Sequence, residues 1–307
     1  MRIIVSADDF GLTRGITDGI LSAFDNGTLT STSVITNGDA FGYAIEQWRS
    51  RIGLGLTLHV NLMEGTSTAP PKEVRLLLDD QGEMNLSFVK LLALSLRLRG
   101  RERDRLRGQI RSEIEAQLGA VAATAGPDWQ PRVDGHQHYH MIPIVLEALL
   151  ELHERWQFHY VRVTEEPHFF VTELRRAVPN YLGPNIAKHA LLHVLASAAR
   201  RQLERRGIAH CRRFVGLIFS GNMTIEPVRA ALGHLRGLER RGGEEELVEF
   251  LLHPGRASQD EEPRWRRRPE LGAYYLSPWR DVERATLCSG EFQALVSPHL
   301  LRHNAAA

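Results

Sequence analysis

Short β-branched runs alternate with helically patterned stretches along most of this chain, and that alternation restricts its fold more than any other feature. Ile3 to Ser6 precedes Ile16 to Phe24, Thr32 to Thr36 precedes Tyr43 to Trp48, and Gly53 to Val60 follows. Arg132 to Asp134 leads into a helical pattern from about Pro143 to Trp156, and Tyr160 to Val163 comes next. Phe214 to Phe219 with Ile225 to Leu238, and then Leu247 to Leu252, complete the series. Strands separated by helices pair in parallel, because each helix carries the chain back along the sheet. About seven such strands predict an α/β fold, a distorted or incomplete TIM-like (β/α) barrel. Pro143 suits the first turn of its helix, where a missing N–H costs nothing. Gly27 after Asn26 reads as the stop of the first helix.

Two stretches break the rhythm, an Arg-rich helical one at about 86–124 and a Pro-containing one at about 165–213 that includes a helix from about Lys188 to Arg206. Both read as helical insertions into a single domain spanning 1–307. Thr66 to Pro71 and Ser258 to Arg268 read as mobile loops, the latter holding the solvated run Arg264-Trp265-Arg266-Arg267-Arg268. A formal net charge of +1 gives no reason to expect nucleic acid. Only Cys211 and Cys288 are present, so neither a disulfide framework nor a thiolate zinc site is expected, and a reducing cytoplasmic location fits. No apolar window reaches the roughly 18 residues of a membrane span. Phe88 to Leu98 has the pattern of an amphipathic surface helix. Burial against the barrel or a second subunit, as in a homodimer, is the more natural reading than contact with lipid.

The chemistry-bearing residues sit where strands end. Asp8 and Asp9 close the first strand; one carboxylate can hold a metal while the other takes a proton, or Asp9 can cap the helix beginning near Leu12 or Thr13. His59 ends the Gly53 run, and Asn61 falls on the same side of an extended strand. In Asp134-Gly135-His136-Gln137-His138-Tyr139-His140, the residues Asp134, His136, His138 and His140 share one face if the segment is extended. Imidazole with carboxylate suits zinc, manganese, iron or nickel better than magnesium. His253 ends the run Leu247 to Leu252, where an imidazole off the metal can serve as a general acid. Arg162 is a charge inside a strand, and a carboxylate such as Asp8 would explain it.

Five segments in order, Ala7-Asp8-Asp9-Phe10-Gly11, Gly27-Thr28-Leu29-Thr30-Ser31-Thr32, Leu58-His59-Val60-Asn61, Asp134 to Met141 and Leu252-His253-Pro254-Gly255, resemble the YdjC-like carbohydrate deacetylases. That family includes chito-oligosaccharide deacetylases and a branch associated with hopanoid biosynthesis. Phe214 to Thr224 and the Arg-rich helix before it look more like the second branch. The resemblance implies a barrel related to the polysaccharide deacetylases. It also implies one divalent metal, magnesium by family habit and zinc or another transition metal by ligand type, and hydrolysis of an N-acetyl group from an amino sugar. Carried over by position, it makes Asp9, His59 and His136 metal ligands, Asp8 the general base and His253 the general acid. Asn61, Asp134, His138, His140 and Arg162 fall to substrate-binding or supporting roles. The substrate expected is an N-acetylated amino sugar, oligosaccharide or glycolipid-linked, with peripheral membrane contact only in the second case. Two other readings compete: a metal-dependent phosphoesterase on the same barrel, and a non-catalytic sugar-binding relative.

Overall fold

The computed structural model describes residues 1–171, 181, 184–240 and 246–301. Its strands are β1 (Arg2–Phe10), β2 (Ser31–Val34), β3 (Gly55–Val60), β4 (Arg132–Gly135), β5 (Tyr160–Val161), β6 (Arg213–Val215) and β7 (Leu247–Leu252). They form one sheet in the order β5-β4-β3-β2-β1-β7-β6, and every ladder is parallel. This order leaves β5 and β6 as the two edges, although they are consecutive in sequence. Isolated hydrogen bonds bridge them: the Val161 N–H donates to the Ala209 carbonyl at 3.0 Å and the Phe214 N–H to the Glu165 carbonyl at 3.1 Å. The sheet is therefore curled into an incomplete α/β barrel with its seam between β5 and β6.

Alternation along the strands sorts apolar from polar residues. Ile3, Val5 and Ala7 of β1 and Val248, Phe250 and Leu252 of β7 are buried in the hydrophobic core. The alternate positions Ser6, Asp8, Ser33, Asp134 and Glu249, with Arg162 just past β5, are also buried but bond to one another inside the barrel. The outer helices are α1 (Arg14–Asp25), α2 (Phe41–Arg49), α3 (Phe88–Arg97), α4 (Gly100–Ala125), α5 (Pro143–Trp156), α6 (Pro184–Glu204) and α7 (Ile225–Glu239). Three short helices follow: α8 (Pro269–Tyr275), α9 (Trp279–Leu287) and α10 (Gly290–Val296).

Thr13 caps α1, its side chain accepting from the Ile16 N–H, so Asp9 is left free of that duty. Pro143 opens α5 as its position suggests. Gly27 follows the Asn26 cap of α1 without a left-handed φ. A Cβ there would lie 2.5 Å from the Ala23 carbonyl oxygen and 2.7 Å from that of Leu287, so close packing is the constraint.

Helix α4 braces the chain after β3. Glu113 accepts from the Thr68 and Ala69 N–H groups, both at 2.9 Å, and Gln117 bonds the Asn61 backbone. Helix α3 buries Leu91 but leaves Val89 72% and Leu96 57% exposed. Part of the 165–213 stretch lies outside the described residues. Among those described, no helix is long and apolar enough to cross a membrane.

The expectation of a mobile loop at Ser258 to Arg268 is corrected. Residues Gln259–Trp265 form a 3-10 helix opened by a Ser258–Glu261 capping box, and Trp265 is buried against Tyr275 with ring centroids 4.8 Å apart. The Arg run is bound rather than merely solvated, with Arg267 pairing with Asp79 and Glu83, and Arg264 with Asp39.

Candidate active site

Strand β1 delivers both aspartates to the C-terminal end of the barrel. Its register against β2 shifts between Ala7 and Phe10, and Asp9 takes a φ of +75°. This bulge re-aims Asp9, so adjacent carboxylates that a regular strand would send to opposite faces reach one cleft.

Three ligand-type atoms converge there. Asp9 Oδ1 lies 3.2 Å from His136 Nδ1 and 3.9 Å from His59 Nε2, and the two imidazole nitrogens are 3.3 Å apart. The hydrogen bonds behind them settle the tautomers. His59 Nδ1 is 2.6 Å from Asp134 Oδ1, so its N–H serves that carboxylate and its Nε2 lone pair faces the cluster. The Tyr275 hydroxyl donates to Glu64 at 2.7 Å and lies 3.0 Å from His136 Nε2, whose N–H points at the phenol oxygen. That arrangement leaves the His136 Nδ1 lone pair facing inward.

Two imidazole lone pairs and a carboxylate facing one point repel unless a proton or cation lies among them, and this donor set fits a divalent metal. Burial opposes a charge on His136, but the hydrogen bonds and charges of Asp9 and Glu64 raise its imidazole to about 9. A second grouping, Asp8, His59 and Asp134, has comparable spacing. Its cation is already built in, because Arg162 reaches both Asp8 oxygens at 2.8 and 2.9 Å and Asp134 Oδ2 at 2.7 Å.

Arg162 also donates to Glu249 at 2.8 Å, and Tyr160 donates to the other Glu249 oxygen. Burial would raise the Asp8 carboxyl, but the Arg162 charge and hydrogen bonds hold it down at about 2. Burial likewise opposes the Asp9 charge, and Arg280, donating to Asp9 Oδ2 at 2.8 Å, keeps that carboxyl well below its ordinary value. In Asp134 burial dominates and the pKa is raised. His253 at the end of β7 donates its backbone N–H to Glu283 and packs edge-on to Tyr274; its buried Nδ1 has no hydrogen-bond partner among the described residues and lies 3.7 Å from Glu283 Oε2.

The three histidines after β4 do not share one face. His136–Met141 forms a 3-10 turn with Gln137 and His138 at φ +46° and +63°, so the i, i+2, i+4 spacing of an extended chain does not apply. His136 alone joins the cluster with Asp9 and His59. His140 is fully buried and donates from Nε2 to the Arg162 carbonyl at 3.2 Å. Burial, then the Arg162 charge, depresses it to about 3. His138 packs against Phe214, and burial, then the Lys188 charge, holds it neutral. Asn61 does not face the cluster either: its side chain accepts from the Met63 and Glu64 N–H groups and shapes the turn that presents Glu64.

Glu64, Trp265, Tyr275, Arg280 and Glu283 belong to the site and escape the sequence reading. Glu64 lies three residues past Asn61, and that proximity is the one available signal. The other four come from the segment after β7, where they sit on short helices and not at strand ends.

A family model described as YdjC-like protein matches residues 2–297. A mouse (Mus musculus) protein named carbohydrate deacetylase is 30% identical over 83% of this chain and 78% of its own length. The human (Homo sapiens) protein of that name is 33% identical over 83% of this chain and 75% of its own. A crystal structure from Enterococcus faecalis V583, provisionally assigned as a cellobiose-phosphate cleavage protein, superposes with a TM-score of 0.63. It covers 99% of this chain and 97% of that one at 18% identity, a likeness of fold alone.

Proposed function

The chain belongs to the YdjC-like family, and from that premise we propose that it is a metal-dependent carbohydrate N-deacetylase. It removes the N-acetyl group of an N-acetylated amino sugar and releases acetate. The observation that carries this reading is the convergence of Asp9 Oδ1, His59 Nε2 and His136 Nδ1 beside an ionised Asp8, in a chain whose relatives are named carbohydrate deacetylases.

Asp9, His59 and His136 would hold the metal, and Asp134 behind His59 and Glu64 behind His136 fix the orientation of the rings. A divalent ion held there would supply Lewis-acid polarisation of the acetamide carbonyl and would make a nearby water more acidic. Asp8 takes a proton from the attacking water; its Oδ2 lies 3.7 Å from His59 Nε2, at the edge of the cluster. Arg162 keeps Asp8 ionised and points it at the cleft. His253 protonates the departing amine, so the C–N bond breaks to give acetate and a free amino sugar. Two imidazoles with one carboxylate favour zinc, whereas the family resemblance points to magnesium.

The deciding measurement is acetate release by protein reconstituted with Zn2+ or Mg2+, from N-acetylglucosamine oligomers, glycolipids bearing N-acetylated amino sugars, and phosphate esters. Acetate from at least one amide, with no phosphate release, is the expected outcome. Metal-loaded protein that releases acetate from none of them would sink the reading, and release of phosphate would favour a phosphoesterase.

A further inference from the structure

A second imidazole cluster lies away from Asp9, His59 and His136. His189 and His193 stand one turn apart on α6, and His168 comes from the chain after β5. Ring centroids are 4.8 Å apart for His168 and His189, 6.1 Å for His168 and His193, and 6.4 Å for His189 and His193. Three imidazoles bound to one tetrahedral zinc place their centroids roughly 5 Å apart, given Zn–N bonds of about 2 Å. As the side chains stand, the three residues do not bring one ligand nitrogen each within 4.8 Å of the others, so convergence asks for side-chain rotation of His168 and His193.

Two buried ring nitrogens of the cluster, Nδ1 of His189 and Nδ1 of His193, have no hydrogen-bond partner among the described residues. His189 is 1% exposed, and its Nε2 has only the ion pair with Glu166. Orphaned buried nitrogens are costly, and an apolar side chain would fill the same space without that cost. A carboxylate stands behind them: Glu166 Oε2 lies 3.3 Å from His189 Nε2. Glu166 is itself fixed by the N–H groups of Gly216, Leu217 and Ile218 at 2.6, 3.0 and 3.0 Å. Such a carboxylate sets the ring orientation of a metal-ligating histidine. His168 is exposed, which opens the cluster to solvent.

We propose that His168, His189 and His193 form a second metal site, for a divalent transition ion of the zinc type, which ties the chain after β5 to α6. Glu166 positions His189 and links the site to the loop after β6.

The probe is Zn2+ alone. Full-length protein equilibrated with Zn2+ and passed through gel filtration is expected to retain about two equivalents, and the His168→Asn/His193→Asn double variant about one. Neither side chain is fully buried, and matching circular dichroism melts of the metal-free proteins check that the variant folds. Co2+ loading gives a second readout, since the wild-type-minus-variant spectrum should carry the visible bands of four-coordinate Co2+. Equal metal retention by wild type and double variant would overturn the proposal, as would a single equivalent in the wild type that Asp9→Asn removes.

Discussion

Asp8 and Asp9 are neighbours in sequence but are gripped by different arginines, and the two grips differ in kind. Arg162 engages both oxygens of Asp8, whereas Arg280 engages only Oδ2 of Asp9 and leaves Oδ1 facing His136 at 3.2 Å. A carboxylate with one uncommitted oxygen suits a ligand, and one held ionised in a fixed pose suits a base. Asp8→Asn should therefore lower kcat by roughly 100-fold or more while metal content is unchanged. Asp9→Asn should strip the metal itself. Steady-state kinetics paired with metal analysis reads both, and metal loss in Asp8→Asn but not in Asp9→Asn would exchange the two roles. With its carboxyl at about 2, Asp8 is ionised throughout the ordinary assay range, so an acid limb of activity above pH 4 must come from another group.

Strand ends were legible in the sequence because parallel strands buried on both faces read as apolar runs, and a charged or imidazole residue closing such a run stands out. Asp9, His59 and His253 all have that signature. The half of the site carried by the C-terminal helices has none. Tyr275 ends α8 and Arg280 lies in α9, in amphipathic segments where a buried Arg looks like any surface Arg until Asp9 is seen beside it. Ser258 to Arg268 resembled a loop because its charges dominate; its Ser258-x-x-Glu261 spacing is a local capping-box signal legible in the sequence, whereas the burial of Trp265 is a tertiary fact.

Packing between elements is equally hidden. Gly19 of α1 touches the turn after His253, where an added Cβ would sit 2.8 Å from Gly255 Cα and 2.8 Å from the Pro254 carbonyl oxygen. Gly19→Ala should cost about 1–3 kcal/mol and lower kcat by displacing His253. Urea unfolding and kinetics on the same preparation check it, and unchanged kcat would mean that α1 yields instead of the turn.

Arg162 ties three strands of the barrel together from the inside. Asp8 from β1, Asp134 from β4 and Glu249 from β7 all lean on Arg162, and the seam at β5 and β6 lies beside the residue that joins them. Asp8, whose folded pKa of about 2 lies below its ordinary 3.8, contributes about 2 kcal/mol that is present above pH 4 and lost as the pH falls toward 2. Asp134 acts in the opposite sense: burial raises its pKa, so its charge costs stability at neutral pH and acid relieves that cost. Arg162→Met removes the shared counter-charge and should destabilise the fold by about 3–5 kcal/mol at pH 7. Without Arg162 the carboxylates protonate at higher pH, so the gap between wild type and variant should narrow as the pH is lowered from 7 to 4. Urea unfolding at the two pH values measures it. A gap that stays constant would mean that Arg162 acts through the packing of its stem and guanidinium against Phe214, 5.7 Å from the ring centroid, and not through its charge.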